Sequence, residues 1–207
     1  MLNKFNEHYL ENYTTSWISC LNESMNSFLN KFCPGFMSVP RKPHPLGNEY
    51  HSIADGDEGY PVMYRIKTQE GKDCLKDANG KWEFPSKFEG ENPNTGRKYT
   101  KTSSLMCEMT VPLHGIEEIV STDSGFFVTA GIPHLHEHGM YGQSLIKKRN
   151  YWPKGCPGAH IYSYVEGQPL GFVKTLSQDI EGVTFNIYCT IDYRFSTKIM
   201  ITHGLLN

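Results

Sequence analysis

The sequence has no Cys-x-x-Cys pair, no long apolar run and no excess of one charge. The two closest of its six cysteines, Cys20 and Cys33, are 13 positions apart, which argues against a zinc site built on cysteines. No apolar run approaches the roughly 18 residues of a membrane-spanning helix. Because the first ten residues include Lys4, Glu7 and His8, the sequence predicts no signal peptide. The cysteines are therefore interpreted as reduced thiols of an intracellular protein, most of them small buried residues.

Charges of the two signs nearly balance. The chain has 20 Lys and Arg against 22 Asp and Glu, a net charge of -2, so bulk charge alone does not hold it on nucleic acid or anionic lipid. Hydrophobic residues make up 38% of the 207 residues, with 19 glycines besides, which is an ordinary globular composition. These values predict one globular domain and exclude a disordered or collagen-like chain.

Periodicity and turn signals predict a mixed α/β sheet flanked by helices. Helices are predicted at 1–13, at 102–109 with Thr102 or Ser103 as cap, and at 126–138, where Pro133 is expected to break or kink the helix. Strands are predicted at 16–21, 50–54, 61–68, 117–122, 141–147 and 183–192. Residues 70–101 have no sustained period and are interpreted as an inserted surface loop. The remainder, after residue 153, is expected to be rich in strands.

Polar side chains end two of the predicted strands. Asn22 follows the first strand and Asp123 follows the strand at 117–122. Ligands of open α/β sheets gather at such strand ends. Asp123 is therefore either a metal ligand or a helix N-cap, and the pattern alone favours the cap.

Two further clusters have metal-binding interpretations that the pattern does not favour. The turn at 55–59 is rich in acids but lacks the spaced ligands of a calcium loop, so it is interpreted as a solvated hairpin turn. His134, His136 and His138 lie within five residues, and His134 and His138 share a helix face that zinc can use. No third ligand is evident nearby, so ordinary histidines are favoured over zinc ligands.

A basic loop lies beside aromatic residues. It contains Lys147, Lys148 and Arg149, followed by Tyr151 and Trp152. Cations suit phosphates and aromatic rings suit unstacked bases, so the loop is either a nucleic-acid contact or a solvated loop.

Five blocks, in order, resemble PiggyBac-type transposases and the transposable element-derived proteins of that family. Leu-Asn-Glu-Ser-Met at 21–25 resembles the family's Asp-Glu-Ser-Met block, and Thr-Asp-Ser-Gly-Phe-Phe-Val-Thr at 122–129 resembles its Asp-Asn-x-Phe-Thr-Ser block. The other three blocks are at 40–47, 54–60 and 139–153. The likeness runs from about residue 14 to residue 203, and it identifies residues 1–207 as a partial PiggyBac-like domain.

The resemblance implies an RNase H-like fold, here truncated on its C-terminal side, and DNA cut-and-paste chemistry. Family members hold two Mg²⁺ ions with three aspartates. The second aspartate corresponds to Asp123 and the first to Asn22, which is not an acid, while no match to the third is found. The family's N-terminal region and cysteine-rich C-terminal module are absent as well. The expectation is a degenerate domain, nuclear and without cleavage activity, in which any surviving chemistry needs Mg²⁺ at Asp123.

Two other functions stay open at this stage. One is a non-catalytic DNA-binding or protein-interaction module on the same scaffold, and the other is an unrelated histidine-based metal protein. The expected phosphate contacts of the DNA-binding module are Arg41, Lys42, Lys147, Lys148 and Arg149. An exposed edge at the C-terminal strands also predicts self-association.

Overall fold

The computed structural model contains four α-helices and nine strands within the residues that it describes, which are 2–27, 29–30, 32, 36–57, 63–68, 91–92, 96, 98–124, 126, 131–146, 156–180, 182–191 and 197–203. The helices are α1 (Leu2–Asn12), α2 (Lys101–Thr110), α3 (Gly131–Glu137) and α4 (Gly158–Glu166). The strands are β1 (Ile18–Ser27), β2 (Met37–Ser38), β3 (Leu46–Asp55), β4 (Met63–Thr68), β5 (Ile119–Thr122), β6 (Tyr141–Leu145), β7 (Val173–Ile180), β8 (Val183–Ile191) and β9 (Thr197–His203).

The strands form one mixed sheet, as predicted. Its order is β2-β3-β1-β5-β6-β9-β8-β7, and β4 also pairs with β3. The central strands β1, β5 and β6 are parallel to one another, whereas β3 and β9 pair with them in the antiparallel direction. The carboxyl ends of three parallel strands therefore meet at one edge of the sheet.

β1 is longer than the sequence predicts. The polar residues from Asn22 onward continue the strand to Ser27, because each of them pairs with a residue of β3. Asn22 consequently lies inside β1 and not at its end, which corrects the predicted boundary. It nevertheless comes directly after Leu21, the last residue of β1 that pairs with β5.

The predicted helices are confirmed with changed boundaries. The second begins after Thr100, whose side chain accepts from the Ser103 N–H in a capping box, so the cap is neither Thr102 nor Ser103. The third is described only at Gly131–Glu137. Phe126 lies in a turn before it. Pro133 is the third residue of this helix, a first-turn position where the ring costs no hydrogen bond, so a break there is not observed.

The core lies where α2, α3 and α4 cover one face of the sheet. Leu21, Ile53 and Val120 of the central strands join Met106 of α2 and Leu135 of α3 in one buried cluster. The period-two pattern of β8 is confirmed, since its odd-numbered residues from 183 to 191 are all buried.

The predicted surface loop at 70–101 lies mostly outside the described residues. At its end, Asn92 is buried and donates to a carboxylate oxygen of Glu137 (3.3 Å), and residue 101 already belongs to α2. This part is therefore packed, contrary to prediction. Cys107 and Cys189 are free and buried, as predicted. In the part of the chain described, no helix is long and apolar enough to cross a membrane.

Candidate metal and DNA site

The parallel ladder brings Asn22 and Asp123 to neighbouring positions. Leu21 pairs with Thr122, so Asn22 and Asp123 are the next residues on β1 and after β5. Side chains at matching positions of parallel strands point to the same face. The Cys20 thiol shares this face with Asn22, and its pKa is raised by burial and then by the negative charge of Asp123. The two predicted site residues therefore share one face at the carboxyl ends of the strands.

Both residues are exposed. The Oδ1 atom of Asn22 accepts the backbone N–H of Glu23 (2.8 Å). The carbonyl oxygen of Asp123 accepts the Phe126 N–H (3.1 Å) and the Ser144 hydroxyl (3.1 Å). Phe126 is in a turn and not in α3, and the N-cap interpretation of Asp123 stays a prediction, because residues 125 and 127–130 lie outside the described part of the chain. The Asp123 carboxylate supplies one negative charge at the edge of the sheet where the parallel strands end.

Glu23 points to the opposite face of β1, as expected from strand alternation. It lies opposite His51 in the β1–β3 ladder. The pKa of Glu23 is raised by burial and by a hydrogen bond and charge repulsion from Glu49, against the lowering effect of His51 and Lys42. This carboxyl group therefore belongs to a polar cluster on the other side of the sheet.

The Asp55 carboxylate is engaged in hydrogen bonds away from Asn22 and Asp123. Its carboxylate accepts from the Ser16 hydroxyl (2.5 Å), the Ser16 N–H (2.7 Å), the Asp57 N–H (2.9 Å) and the Tyr13 hydroxyl (3.0 Å). Asp55 lies opposite Ser19, three residues along the strand from Asn22, a separation of about 10 Å. It is a structural anchor and does not replace the missing acid. Asp192, an acid near the C-terminal end of the sequence, lies outside the described residues.

The described residues do not fit a pair of Mg²⁺ ions at this edge. Such ions require several carboxylate oxygens, whereas here one carboxylate and one amide are adjacent. Among the described residues, three His, Cys, Asp or Glu side chains come within metal-holding distance only at His114, His134 and His138. Asp123 therefore belongs to no such group of three in this part of the chain.

The two described basic candidates both approach Glu23. The Nη2 atom of Arg41 is 3.4 Å from the Glu23 carboxylate, and the Arg41 side chain is 74% exposed. The Lys42 Nζ atom donates to the Glu23 carbonyl oxygen (3.2 Å) and is 24% exposed. Arg41 is thus the more accessible cation. The other three predicted contacts, Lys147, Lys148 and Arg149, lie outside the described residues.

The histidine cluster gains a third member that the sequence did not reveal. His134 and His138 approach each other as the four-residue spacing predicts, with ring centroids 4.2 Å apart. His114, from the turn after α2, stacks on His138 at 4.0 Å. His136 is exposed and lies outside the group. Each of the two turns carries a His-Gly pair, at 114–115 and 138–139, but the same pair also occurs at 203–204, so it does not mark this approach in the sequence.

Comparison with known proteins identifies the class. The family model described as Transposase IS4 matches residues 1–178, so the chain belongs to that transposase family. Among solved structures, a piggyBac transposase in a synaptic complex with hairpin DNA matches with a TM-score of 0.68 and 13% identity over 97% of this chain. The match supports the predicted piggyBac-type, RNase H-like fold, and the chain spans 36% of that transposase's length. No curated protein matches the sequence significantly.

Proposed function

We propose that this chain is a transposase-derived domain that binds DNA and does not cleave it. The observation that supports this proposal is the pairing of Leu21 with Thr122, which places Asn22 beside Asp123. An amide at this position keeps the size and shape of an aspartate and removes its charge. One carboxylate does not neutralise two dications, so neither a water nor a 3′-hydroxyl is activated there.

DNA binding is proposed from the family and from local charge. The similar piggyBac transposase was solved with hairpin DNA. In this chain the net charge is -2, so binding depends on local cations and not on an overall attraction. Arg41 is exposed and contacts Glu23, which follows Asn22 in β1 and points to the other face of the sheet. Lys147, Lys148 and Arg149 follow β6 in the sequence and are further proposed phosphate contacts. A DNA ligand implies a nuclear location.

The test combines binding and cleavage on the same DNA. The 207-residue protein is incubated with labelled duplex and hairpin DNA, with Mg²⁺ or Mn²⁺, and both retention and strand nicking are followed. We expect salt-dependent binding without nicking, by the wild type and by Asp123→Ala alike. Nicking that requires metal and disappears in Asp123→Ala would refute the proposed inactivity. Absence of binding at low salt would refute the DNA-binding function.

A second candidate function, self-association, is favoured by the edge of the sheet. β7 ends the strand order among the described residues, and its first residue, Val173, is 65% exposed. Open edges pair with other chains unless charges oppose it, and here Lys174 and Asp179 are the charged residues. Light scattering over a concentration series tests this candidate, and Val173→Lys is expected to reduce any self-association that wild type shows.

A further inference from the structure

Three histidine side chains from two segments meet at the amino-terminal edge of the sheet. His134 lies in α3, His138 in the turn that follows it, and His114 comes directly after the 3₁₀ turn Val111–Leu113. One nitrogen from each ring can be chosen so that all three lie within 4.8 Å of one another. Nitrogens that share a tetrahedral zinc are roughly 3.3 Å apart, given Zn–N bonds of about 2.0–2.1 Å. Small side-chain rotations therefore suffice to close the group around one ion.

The backbone holds the two segments together independently of the rings. The Gly115 N–H donates to the carbonyl oxygen of His138 (2.8 Å). Gly115 and Gly139 both have positive φ, and a Cβ built on Gly139 would lie 3.6 Å from the Gly115 Cα. Two left-handed turns thus pack against each other, and each presents the histidine that precedes its glycine. The approach of His114 to His138 follows from this packing and not from chance surface contact.

The hydrogen bonding leaves a ligand nitrogen on His138. Its Nδ1 atom is 2.8 Å from the His134 carbonyl oxygen, which can only accept, so Nδ1 carries the proton. The lone pair is then on Nε2. An imidazole that donates through one nitrogen to a backbone carbonyl and ligates through the other is the usual outer arrangement of zinc histidines.

His134 is the most buried member of the group, with only 2% of its surface exposed.

We propose that His114, His134 and His138 bind one Zn²⁺ ion. Three imidazoles without a carboxylate in the group suit a borderline first-row cation and not Mg²⁺ or Ca²⁺. The ion would join the end of α3 to the segment after α2. Three protein ligands leave a fourth position for water or another small ligand.

This zinc site is separate from the edge that carries Asp123. His114 and His138 precede β5 and β6, whereas Asp123 follows β5. The four residues of β5 separate the two edges by about 13 Å. The proposal therefore does not depend on DNA binding or cleavage, and either can fail alone.

Zinc content and affinity provide the test. Wild-type protein, stripped with a chelator and titrated with Zn²⁺, is expected to bind one equivalent and to unfold at a higher temperature when loaded. His138→Gln is expected to weaken the affinity at least about 100-fold, because loss of an outer partner alone changes metal affinity about 10–100-fold. His136→Gln, at an exposed residue of α3 two positions before His138, is the matched control and should bind as wild type does. Asp123→Asn should also bind normally.

Co²⁺ added to the wild type gives a readout that needs no variant. Coordination by three imidazoles produces visible d–d absorption that Zn²⁺ displaces. If His138→Gln does not fold, the cobalt spectrum of the wild type alone tests whether the three histidines bind a metal ion. Absence of stoichiometric zinc and of the cobalt spectrum, or equal weakening by His136→Gln and His138→Gln, overturns the proposal.

Discussion

Asn22 and Asp123 occupy the two positions that directly follow the last pair of the β1–β5 ladder, and they share one face of the sheet. A carboxylate on each strand at this level would face the same volume of solvent. Of these two positions, only Asp123 carries a negative charge, because Asn22 is an amide. Restoring the second carboxylate is therefore the most direct perturbation of the candidate site.

Asn22→Asp is expected to create a weak dication site. Two like charges on adjacent strands repel, so without metal the variant should be less stable than wild type by a few tenths to about 1 kcal/mol. Mn²⁺ should remove this difference and bind measurably, by calorimetry or by relaxation enhancement of water protons. Wild type should bind Mn²⁺ no better at this edge than Asp123→Asn does.

Asn26→Asp is the matched control for that variant. Asn26 is exposed on the same face of β1 but four residues further along, about 13 Å from the position of Asn22. It should neither repel Asp123 appreciably nor create a Mn²⁺ site. Equal Mn²⁺ binding by the two variants would show that Asp123 is not the partner ligand.

Arg41→Ala is expected to weaken DNA binding through loss of a phosphate contact. Each phosphate that a protein neutralises contributes about 0.9 to the slope of log K against log salt. The slope should therefore fall by about one unit, with little effect on folding, since the pair with Glu23 is exposed and long. Fluorescence anisotropy at several salt concentrations measures both affinity and slope.

Lys174→Ala controls for the loss of one positive charge. Lys174 is exposed on β7, at the opposite end of the strand order from β2, which Arg41 follows. Its removal should leave the salt slope unchanged. If both variants lower the slope equally, the effect is one of net charge and not of a contact at Arg41.

The sheet could be predicted largely because its strands carry strong alternation. In β8 every second residue is apolar and buried, so the period-two pattern was sufficient. Helix α4 was missed because Gly158–Glu166 buries only Ile161, Val165 and its first glycine, a stripe too short to give a clear helical period. The polar half of β1 was missed because pairing with β3, and not burial, extends it.

The two candidate sites differ in how much of their geometry could be predicted from the sequence. Asn22 and Asp123 each directly follow a stretch that the sequence predicts to be a strand, so their meeting at one edge follows from parallel pairing of those two strands. His114 is 20 positions from His134. The approach of His114 to the other two histidines requires two positive-φ turns to pack together. No periodicity or motif in a single sequence predicts such a contact between distant turns.

Asp55→Asn is expected to destabilise the junction between α1 and β1. Burial alone would raise the pKa of Asp55, but hydrogen bonds from Ser16, Asp57 and Tyr13 outweigh it and lower the pKa. The carboxylate accepts several donors while nearly fully buried, and an amide presents a donor to some of them. The loss should be about 1–3 kcal/mol in the free energy of unfolding at pH 7.

The pH dependence gives this prediction its sign. Because the folded pKa of Asp55 lies below the unfolded value of about 3.9, its ionised form stabilises the fold above that pH. The stabilisation is lost as the pH falls through the folded pKa. The difference between wild type and Asp55→Asn in urea unfolding should therefore shrink below pH 4. Asp179→Asn, at an exposed aspartate bonded to Thr184, should change little at either pH.

Gly139→Ala is expected to destabilise the turn that presents His138. Gly139 has a φ of 71°, a left-handed conformation that costs an L-residue roughly 1–2 kcal/mol. The added Cβ makes only ordinary contact with Gly115 at 3.6 Å, so the cost is one of backbone and not of a clash. Denaturant unfolding measures the loss.

Gly167→Ala is the control for Gly139→Ala. Gly167 has a φ of −87° and open space around its Cβ position, so this change should be neutral or slightly stabilising. Equal stability changes in the two variants would contradict a left-handed turn at Gly139.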